Sequence, residues 1–302
     1  MELDPGLASL LAGLVGLLVG SFLNVVIYRL PKMMELEWER ECASLRASSA
    51  DDVAALPEVQ PIDTQAEAIP SARFNLCVPA SRCGTCGHQV RWYENIPVLS
   101  YVFLRGKCSA CGVRLSLRYP IVELATAFLF FYCIERWGMG VQGLAWCGFS
   151  AAMLTLAFID WDTTLLPDDI TLPLMWAGLL AAALGWIAVP LYASVVGAAA
   201  GYLSLWTIYW AFKWLTGKEG MGYGDFKLYA ALGAWFGWEA LLPIILISSL
   251  IGAVVGIAMK LMKNLREGGY IPFGPFLVGA GFAAMFFGPQ AILQTIMGPW
   301  GR

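Results

Sequence analysis

Long uncharged stretches recur along the chain and predict where it crosses a membrane. A transmembrane helix needs about 20 consecutive apolar residues, because the hydrocarbon core of a bilayer is about 30 Å thick. Stretches of this kind cover residues 5–28, 137–159, 170–212, 240–259 and 268–301. The third is long enough for two helices with Pro190 near the turn, whereas Pro272 and Pro275 interrupt the last. These stretches predict six membrane helices.

Two shorter apolar segments predict further membrane helices. Residues 124–134 lie between Glu123 and Glu135, so this segment spans the bilayer only if its flanks are included. Residues 228–238 are too few for a full span and predict a tilted or half-inserted helix. The predicted fold class is therefore an all-α polytopic membrane protein with about eight transmembrane helices.

Charges near the apolar stretches predict the orientation. Glu2 and Asp4 precede the first stretch where a signal peptide has basic residues, so a retained membrane helix is predicted. Loops rich in Lys and Arg stay on the cytoplasmic side of a membrane. One predicted side holds Lys213, Lys218, Lys227, Lys260, Lys263 and Arg266, and the other holds Arg136 and Arg302. The N-terminus is therefore predicted to be periplasmic and the long loop 31–118 cytoplasmic.

The composition supports a membrane protein and excludes other classes. Hydrophobic residues make up 59% of the 302 residues and charged residues 14%, whereas soluble domains have about 25% charged residues. The net charge is −3 and the basic residues form no stripe, so we expect a lipid bilayer and no nucleic acid as a partner. His88 is the single histidine, which leaves little room for histidine-based chemistry.

The long loop divides the chain into three predicted regions. These are a first transmembrane helix at 1–30, the cytoplasmic loop at 31–118, and a membrane catalytic core of about seven helices at 119–302. Residues 33–72 are acidic and rich in Ala and Ser, with a short helix predicted over 33–45 and no role assigned. Residues 73–118 are basic and aromatic and contain paired cysteines.

Two Cys-x-x-Cys-Gly motifs in this loop predict a metal site. Cys83 and Cys86 form the first pair, and Cys108 and Cys111 form the second. Four thiolates on two tight turns suit one tetrahedral zinc ion, which would hold together a segment too small to form its own core. Two disulfides are disfavoured in a reducing compartment, and an iron–sulfur or redox site stays possible from the spacing. His88 is predicted to be a surface side chain, and the other cysteines are predicted to be packing residues: Cys42, Cys77, Cys133 and Cys147.

Two groups of aspartates at the cytoplasmic membrane boundary are the candidate catalytic residues. Acidic side chains at membrane depth are costly and are therefore functional candidates. Asp160 and Asp162 end one predicted helix, and Asp225 follows Gly222 and Gly224 in a Gly-x-Gly-Asp sequence. Two carboxylates brought together can hydrolyse a peptide bond, since one activates a water while the other donates a proton. Asp168 and Asp169 are predicted to be helix caps, because they follow Pro167 directly before an apolar stretch.

The ordered set of motifs resembles the type IV prepilin peptidases, which are bifunctional leader peptidases and N-methyltransferases of the bacterial inner membrane. The resemblance runs over nearly the whole chain. The residues that carry it are Gly20–Pro31, the two cysteine pairs, Glu94–Pro97, Arg118–Pro120 with Glu123, the Asp160 cluster, Lys218–Asp225 and Pro272–Pro275.

This resemblance implies an activity and assigns roles to residues. It implies cleavage of prepilins and pseudopilins after a glycine at the cytoplasmic membrane face, followed by methylation of the new N-terminus with S-adenosylmethionine. The catalytic aspartates fall on Asp160 and Asp225, with Asp162 as the rival to Asp160. Glu123 is a candidate for contacting substrate or cofactor, or for a role at a helix end. The sequence does not locate the methyl-donor site.

Two alternatives stay open at this stage. One is a related Gly-x-Gly-Asp membrane protease without methyltransferase activity, against which the cysteine-bearing loop argues. The other is a proton-coupled transporter with a relay of acids. Because Asp160 and Asp225 both lie near one membrane face and neither lies at the midplane, the transporter is the less favoured.

Overall fold

The computed structural model describes residues 4–54, 74–218, 220–262 and 271–297. The described residues form helices and connecting loops, with two isolated β-bridges and no strand among them. The helices, in chain order, are α1 (Pro5–Ala54), α2 (Leu99–Phe103), α3 (Arg118–Trp137), α4 (Val141–Thr163), α5 (Asp168–Ala183), α6 (Leu191–Thr216), α7 (Tyr223–Phe236), α8 (Leu241–Leu261), α9 (Gly274–Phe287) and α10 (Pro289–Met297). Short 3₁₀ turns cover Trp92–Asn95 and Trp238–Ala240.

Four helices in the described part of the chain are long and apolar enough to cross a membrane: α1, α4, α6 and the helix that includes α8. A fifth span exists if α9 and α10, which meet at an angle of 100°, are taken together. The predicted turn at Pro190 is confirmed, since this residue caps the N-terminus of α6. The helices predicted at 124–134 and 228–238 form as α3 and α7. α3, α5 and α7 do not meet the span criteria by themselves, so eight spans stay a prediction.

α1 is longer than the sequence predicts. A separate short helix was expected over residues 33–45, but α1 continues from Pro5 through Pro31 to Ala54 without a break. Proline removes one hydrogen bond from a helix and does not end it when the remaining bonds hold. The expected boundary at residue 30 therefore lies inside a helix, and most of the remaining stretch up to residue 73 lies outside the described residues.

Glycines allow α1 to pack closely on α3. A side chain at Gly16 would meet the Ala127 backbone at 2.7 Å, and one at Gly20 would meet Glu123 Cα at the same distance. Small residues at such contacts let membrane helices approach each other, where dispersion and polar contacts replace the hydrophobic effect. The two helices that frame the long loop are thus fixed to each other.

α7 is the most enclosed helix and packs against α6 in the same way. Its residues from Asp225 to Trp235 are nearly all buried, although the helix has only 14 residues. The backbones of Gly197 in α6 and Gly233 in α7 lie in direct contact, so any side chain at either position would overlap the other helix. Enclosure by α5 and α6 therefore replaces contact with lipid for α7.

Candidate active site

Asp160 lies in the last turn of α4 and is almost completely buried, with 4% of its surface exposed. Its Oδ2 accepts a hydrogen bond of 2.9 Å from the backbone N–H of Gly274, the first residue of α9. A side chain at Gly274 would lie 2.5 Å from Asp160 Oδ2. The Asp160 carboxylate is therefore held at the N-terminus of a helix, where backbone dipoles favour negative charge.

Asp225 lies in the first turn of α7, and 7% of its surface is exposed. Its N–H bonds to the Gly222 carbonyl at 3.3 Å. Asp225 Oδ1 is buried and has no hydrogen-bond partner among the described residues. Its carboxylate interacts electrostatically with that of Asp160. The two aspartates that the sequence places at one membrane boundary are thus brought together from α4 and α7.

Leu166, in the loop between α4 and α5, fills the space between the two segments that flank the aspartates. A side chain at Gly224 would lie 2.7 Å from Leu166 Cβ, and one at Gly274 would lie 3.3 Å from Leu166 Cδ1. Gly224 and Gly274 are therefore both needed for close approach. The sequence analysis did not give Gly274 a role in the site, although the motif Pro272–Pro275 was the available signal.

Asp162 has a different environment from Asp160. Its side chain is partly exposed, and Oδ2 accepts from Arg118 Nη1 at the start of α3. This ion pair ties the end of α4 to the end of the long loop. The Asp162 carboxylate is therefore paired with the Arg118 guanidinium, whereas the Asp160 carboxylate is buried on the side of Asp225.

Asp168 and Asp169 lie one and two positions later than a capping role requires. Pro167 occupies the N-cap of α5, and no side-chain capping bond forms. The prediction that these aspartates are caps is therefore wrong, because proline itself starts the helix. Asp168 instead receives two hydrogen bonds of 2.7 Å from Lys227 in α7, only two residues after Asp225.

Glu123 is buried in the second turn of α3 and connects the membrane helices to the long loop. Its Oε2 accepts a hydrogen bond of 2.7 Å from the backbone N–H of Val98. Nearby, Asn24 of α1 donates to the Tyr119 carbonyl at 3.1 Å. The bond from Val98 joins the long loop to α3 away from the helix end, and contact of Glu123 with substrate or cofactor stays a prediction.

The four predicted metal-ligating cysteines converge. Their sulfur atoms all lie within 4.8 Å of one another, and the arrangement could hold a metal ion. Cys83 Sγ lies 3.9 Å from Cys111 Sγ, and Cys86 Sγ lies 4.0 Å from Cys108 Sγ. The backbone N–H groups of Cys86 and Thr85 lower the pKa of Cys83 to about 6, whereas burial and the neighbouring thiols raise the pKa of Cys86 to about 12.

Each cysteine pair lies on a tight turn with the same hydrogen bonds. The N–H of Cys83 donates to the His88 carbonyl at 2.8 Å, and the N–H of Cys108 donates to the Val113 carbonyl at 2.9 Å. The turns close at Gly87 and Gly112, whose φ angles of +71° suit residues without a side chain. The glycine that ends each motif is therefore required by the turn.

His88 is not simply a surface residue, as the sequence analysis expected. Its Nε2 lies 3.3 Å from Glu94 Oε2 and 3.3 Å from Ser109 Oγ, so it links the two cysteine turns. The N–H of Arg91 also donates to Glu94, and this bond, with those from Ser109 and His88, lowers the pKa of Glu94 to about 2. We call residues 74–118 the cysteine module.

The remaining cysteines divide into two groups. Cys133 and Cys147 are buried in the membrane core, which confirms their predicted packing role. Cys77 is exposed and Cys42 is partly exposed, so that prediction is wrong for these two. Cys77 lies in a loop and Cys42 in the second half of α1, and neither belongs to a buried apolar cluster.

Comparison with known proteins identifies the family. Residues 14–137 match the bacterial peptidase A24 N-terminal domain, and residues 147–257 match the type IV leader peptidase family. A prepilin leader peptidase/N-methyltransferase of Pseudomonas putida is 48% identical over 290 residues, which cover 96% of this chain and 94% of the relative. The protein of the same name from Aeromonas salmonicida strain A449 is 48% identical and covers 98% and 99% of the two chains. No solved structure is a significant match.

The chain belongs to the type IV leader peptidase family. The matches cover both the region with the cysteine pairs and the region with the two aspartates. This confirms the resemblance drawn from the ordered motifs.

Proposed function

We propose that this protein is a membrane aspartic endopeptidase that removes the leader peptide of type IV prepilins and pseudopilins and then N-methylates the new N-terminus. The relatives carry both activities in their name. The observation that carries the peptidase assignment is the burial of Asp160 and Asp225 on separate helices, with Gly274 and Gly224 beside them both packed against Leu166. Asp162 is a supporting residue, because Arg118 pairs with it.

The two aspartates can divide the work of peptide hydrolysis. The ionised carboxylate takes a proton from a water molecule as the water oxygen attacks the scissile carbonyl carbon, and the protonated carboxyl gives its proton to the carbonyl oxygen. When the C–N bond breaks, the leaving nitrogen takes up a proton from the carboxyl that received one. Gly222, where an added side chain would meet only Asp225 Oδ2 at 3.9 Å, leaves room for an extended substrate backbone beside Asp225, whereas Leu166 occupies the space beside Gly224.

Methyl transfer requires a second substrate. S-adenosylmethionine supplies the methyl group when bound, and the free amine that cleavage produces is the acceptor. The chain's role in this step is to hold that amine with its lone pair accessible, and the two aspartates are not needed for it. Glu123 stands beside the module and the membrane helices and is assigned a supporting role through Val98.

Zinc fits the cysteine cluster best. Four sulfur ligands about 2.3 Å from a tetrahedral zinc ion lie about 3.8 Å apart, close to the Sγ–Sγ distances of 3.9 and 4.0 Å. The site is closed, since all four ligands come from the protein, and its role is structural. Cys83, Cys86, Cys108 and Cys111 would hold the ion.

We further propose a bacterial inner-membrane location with eight membrane helices, with α3, α5 and α7 added to the five apolar spans. The N-terminus is periplasmic, and the cysteine module and both aspartates face the cytoplasm. The excess of Lys and Arg at the ends of α6 and α8 supports this orientation.

The test is cleavage of a purified prepilin by the purified protein, with methylation of a pre-cleaved pilin measured beside it. Asp160→Asn and Asp225→Asn are expected to abolish cleavage and to retain methylation, because each removes an ionisable carboxyl and keeps its shape. Asp162→Asn is the matched control and should retain turnover. If Asp162→Asn is inactive while Asp160→Asn still cleaves, the pair is assigned wrongly; if Asp225→Asn cleaves at a wild-type rate, the aspartic mechanism is wrong.

A further inference from the structure

The cysteine module has a short helix whose apolar face is uncovered. Leu99, Val102 and Phe103 lie three and four residues apart on α2 and therefore share one face of the helix. Their exposed fractions are 56%, 64% and 81%. Trp92, in the 3₁₀ turn that packs on α2, is 83% exposed. We call these four residues the apolar edge of the module.

The opposite side of α2 is fixed to the module. The Tyr101 hydroxyl donates to the Leu115 carbonyl at 3.2 Å and lies close over Gly106. The side chain of Tyr101 is therefore used inside the module, and α2 cannot rotate to bury Leu99, Val102 and Phe103 without breaking this contact. The exposure of the apolar edge is thus imposed by the fold.

The position of α2 along the membrane normal follows from the hydrogen bond that ties its start to Glu123 of α3. The N–H of Val98, the residue directly before α2, donates to the Glu123 carboxylate at 2.7 Å. Glu123 lies five residues into α3, which corresponds to about 7.5 Å beyond the start of that helix at a rise of 1.5 Å per residue. Since α3 runs from the loop into the membrane core, α2 begins at the level where α3 enters the bilayer.

The module is also strongly basic. Residues 74–118 contain six Lys and Arg residues and one acidic residue, whereas the whole chain is net negative. Four of the basic side chains are exposed and form no ion pair with any described residue: Arg82, Arg105, Lys107 and Arg114. A zinc ion with four thiolates adds a charge of about −2, so the module stays positive with the metal bound.

We propose that the apolar edge inserts into the cytoplasmic leaflet and that the basic residues beside it bind anionic phospholipid headgroups. The cytoplasmic leaflet carries negative lipids and attracts Lys and Arg near its surface. Amphipathic helices lie in this interface with their apolar side chains about 5–10 Å below the headgroups. Arg105 and Lys107 directly follow α2, so the charges lie next to the apolar side chains. This docking rests on the proposed cytoplasmic location of the module and not on the proposed catalytic role of the aspartates.

Photo-crosslinking of the full chain in nanodiscs tests the proposal. The photoreactive residue p-benzoylphenylalanine is placed at Phe103 in discs of phosphatidylcholine with phosphatidylglycerol. The matched control position is Trp38, an exposed aromatic in α1 that lies about 20 Å past the level of Asn24 by helical rise. Phospholipid adducts are expected at position 103, and none are expected at position 38.

Charge is tested in the same discs. Replacing Arg105 and Lys107 by Gln is expected to lower the adduct yield at position 103, since each basic residue near an anionic surface strengthens attraction about fivefold. Discs of phosphatidylcholine alone should lower the yield in the same way. Equal yields in both lipids would overturn the assignment of anionic headgroups.

The outcomes at position 103 separate lipid from other occupants. Adducts to a second copy of the chain, or the absence of lipid adducts, would overturn the proposal. Hydrogen exchange of residues 98–105 in the unmodified protein gives a second measure that needs no variant. Slower exchange in anionic discs than in phosphatidylcholine discs is expected, and equal exchange in both would contradict the proposal.

Discussion

The backbone N–H of Gly274 donates a 2.9 Å hydrogen bond to Oδ2 of Asp160, across 114 positions of sequence. Gly274 is the first residue of α9, and Asp160 lies in the last turn of α4. The carboxylate that we propose as a catalytic group is therefore positioned by a main-chain donor. Any side chain at position 274 would move it.

Gly274→Ala is expected to lower kcat for leader cleavage by roughly a hundredfold, because misplacement of a catalytic group by about 1 Å has an effect of that size. Its added Cβ would lie 2.5 Å from Asp160 Oδ2. Methylation of a pre-cleaved pilin should be unchanged. Gly279→Ala in the same helix is the control, since its Cβ meets open space. Equal cleavage by the two variants would contradict a positioning role.

The purified protein is expected to contain one zinc ion per chain, because the four module sulfurs lie within 4.8 Å of one another. Elemental analysis of the wild type and of a Cys83→Ser, Cys111→Ser double variant measures this. The double variant should lose the metal and show faster hydrogen exchange in residues 74–118, with little change in α4 to α7. Replacing Cys133 and Cys147 by Ala serves as the control and should leave the zinc in place.

The topology can be tested by labelling single cysteines with a membrane-impermeant reagent in intact cells. In a chain whose four non-module cysteines are replaced by Ala, Met139→Cys is expected to be labelled from outside and Lys218→Cys to be protected. Met139 lies in the loop between α3 and α4, and Lys218 lies after α6, on the side rich in basic residues. Labelling of Lys218→Cys in intact cells would contradict the orientation, and the parent chain gives the background.

Gly233→Ala is expected to destabilise the protein by about 1–3 kcal/mol, the usual effect of overpacking a close contact. The reason is the backbone contact with Gly197, which leaves no space for a methyl group. Thermal unfolding in detergent measures the loss. Gly148→Ala, in α4 at a position with no atom within 4 Å, should unfold at the wild-type temperature. If both variants match the wild type, α6 and α7 are further apart than described.

Sequence patterns were sufficient for the features that depend on local residue types. Pro190 marked the turn before α6, and the spacing of the cysteine pairs marked their convergence. The approach of the two aspartates to each other followed from their positions where apolar stretches begin and end. These features are set by neighbours along the chain, so they can be predicted without the fold.

Other features depend on contacts that leave no local signal. Glu123 and Glu135 bracket the apolar segment of α3 and made it short for a membrane span, yet Val98 donates to the first and Ser9 donates to the second at 2.6 Å. The bond from Gly274 to Asp160 uses a backbone donor that every residue except proline has. The Arg118–Asp162 ion pair joins side chains that are 44 positions apart. These partners are brought together by the packing of the helices, so the sequence alone does not identify them.

Arg29 near the middle of α1 holds the start of the cysteine module through main-chain atoms. Its guanidinium donates to the carbonyl oxygens of Asn75 and Pro79 at 2.9 and 2.6 Å, and the Leu76 carbonyl lies at 3.4 Å. A carbonyl oxygen is present whatever side chain the residue carries. Natural variants of this enzyme should therefore accept many substitutions at position 76, whereas position 29 should tolerate almost none, lysine included, because a lysine lacks the planar fork that reaches several acceptors.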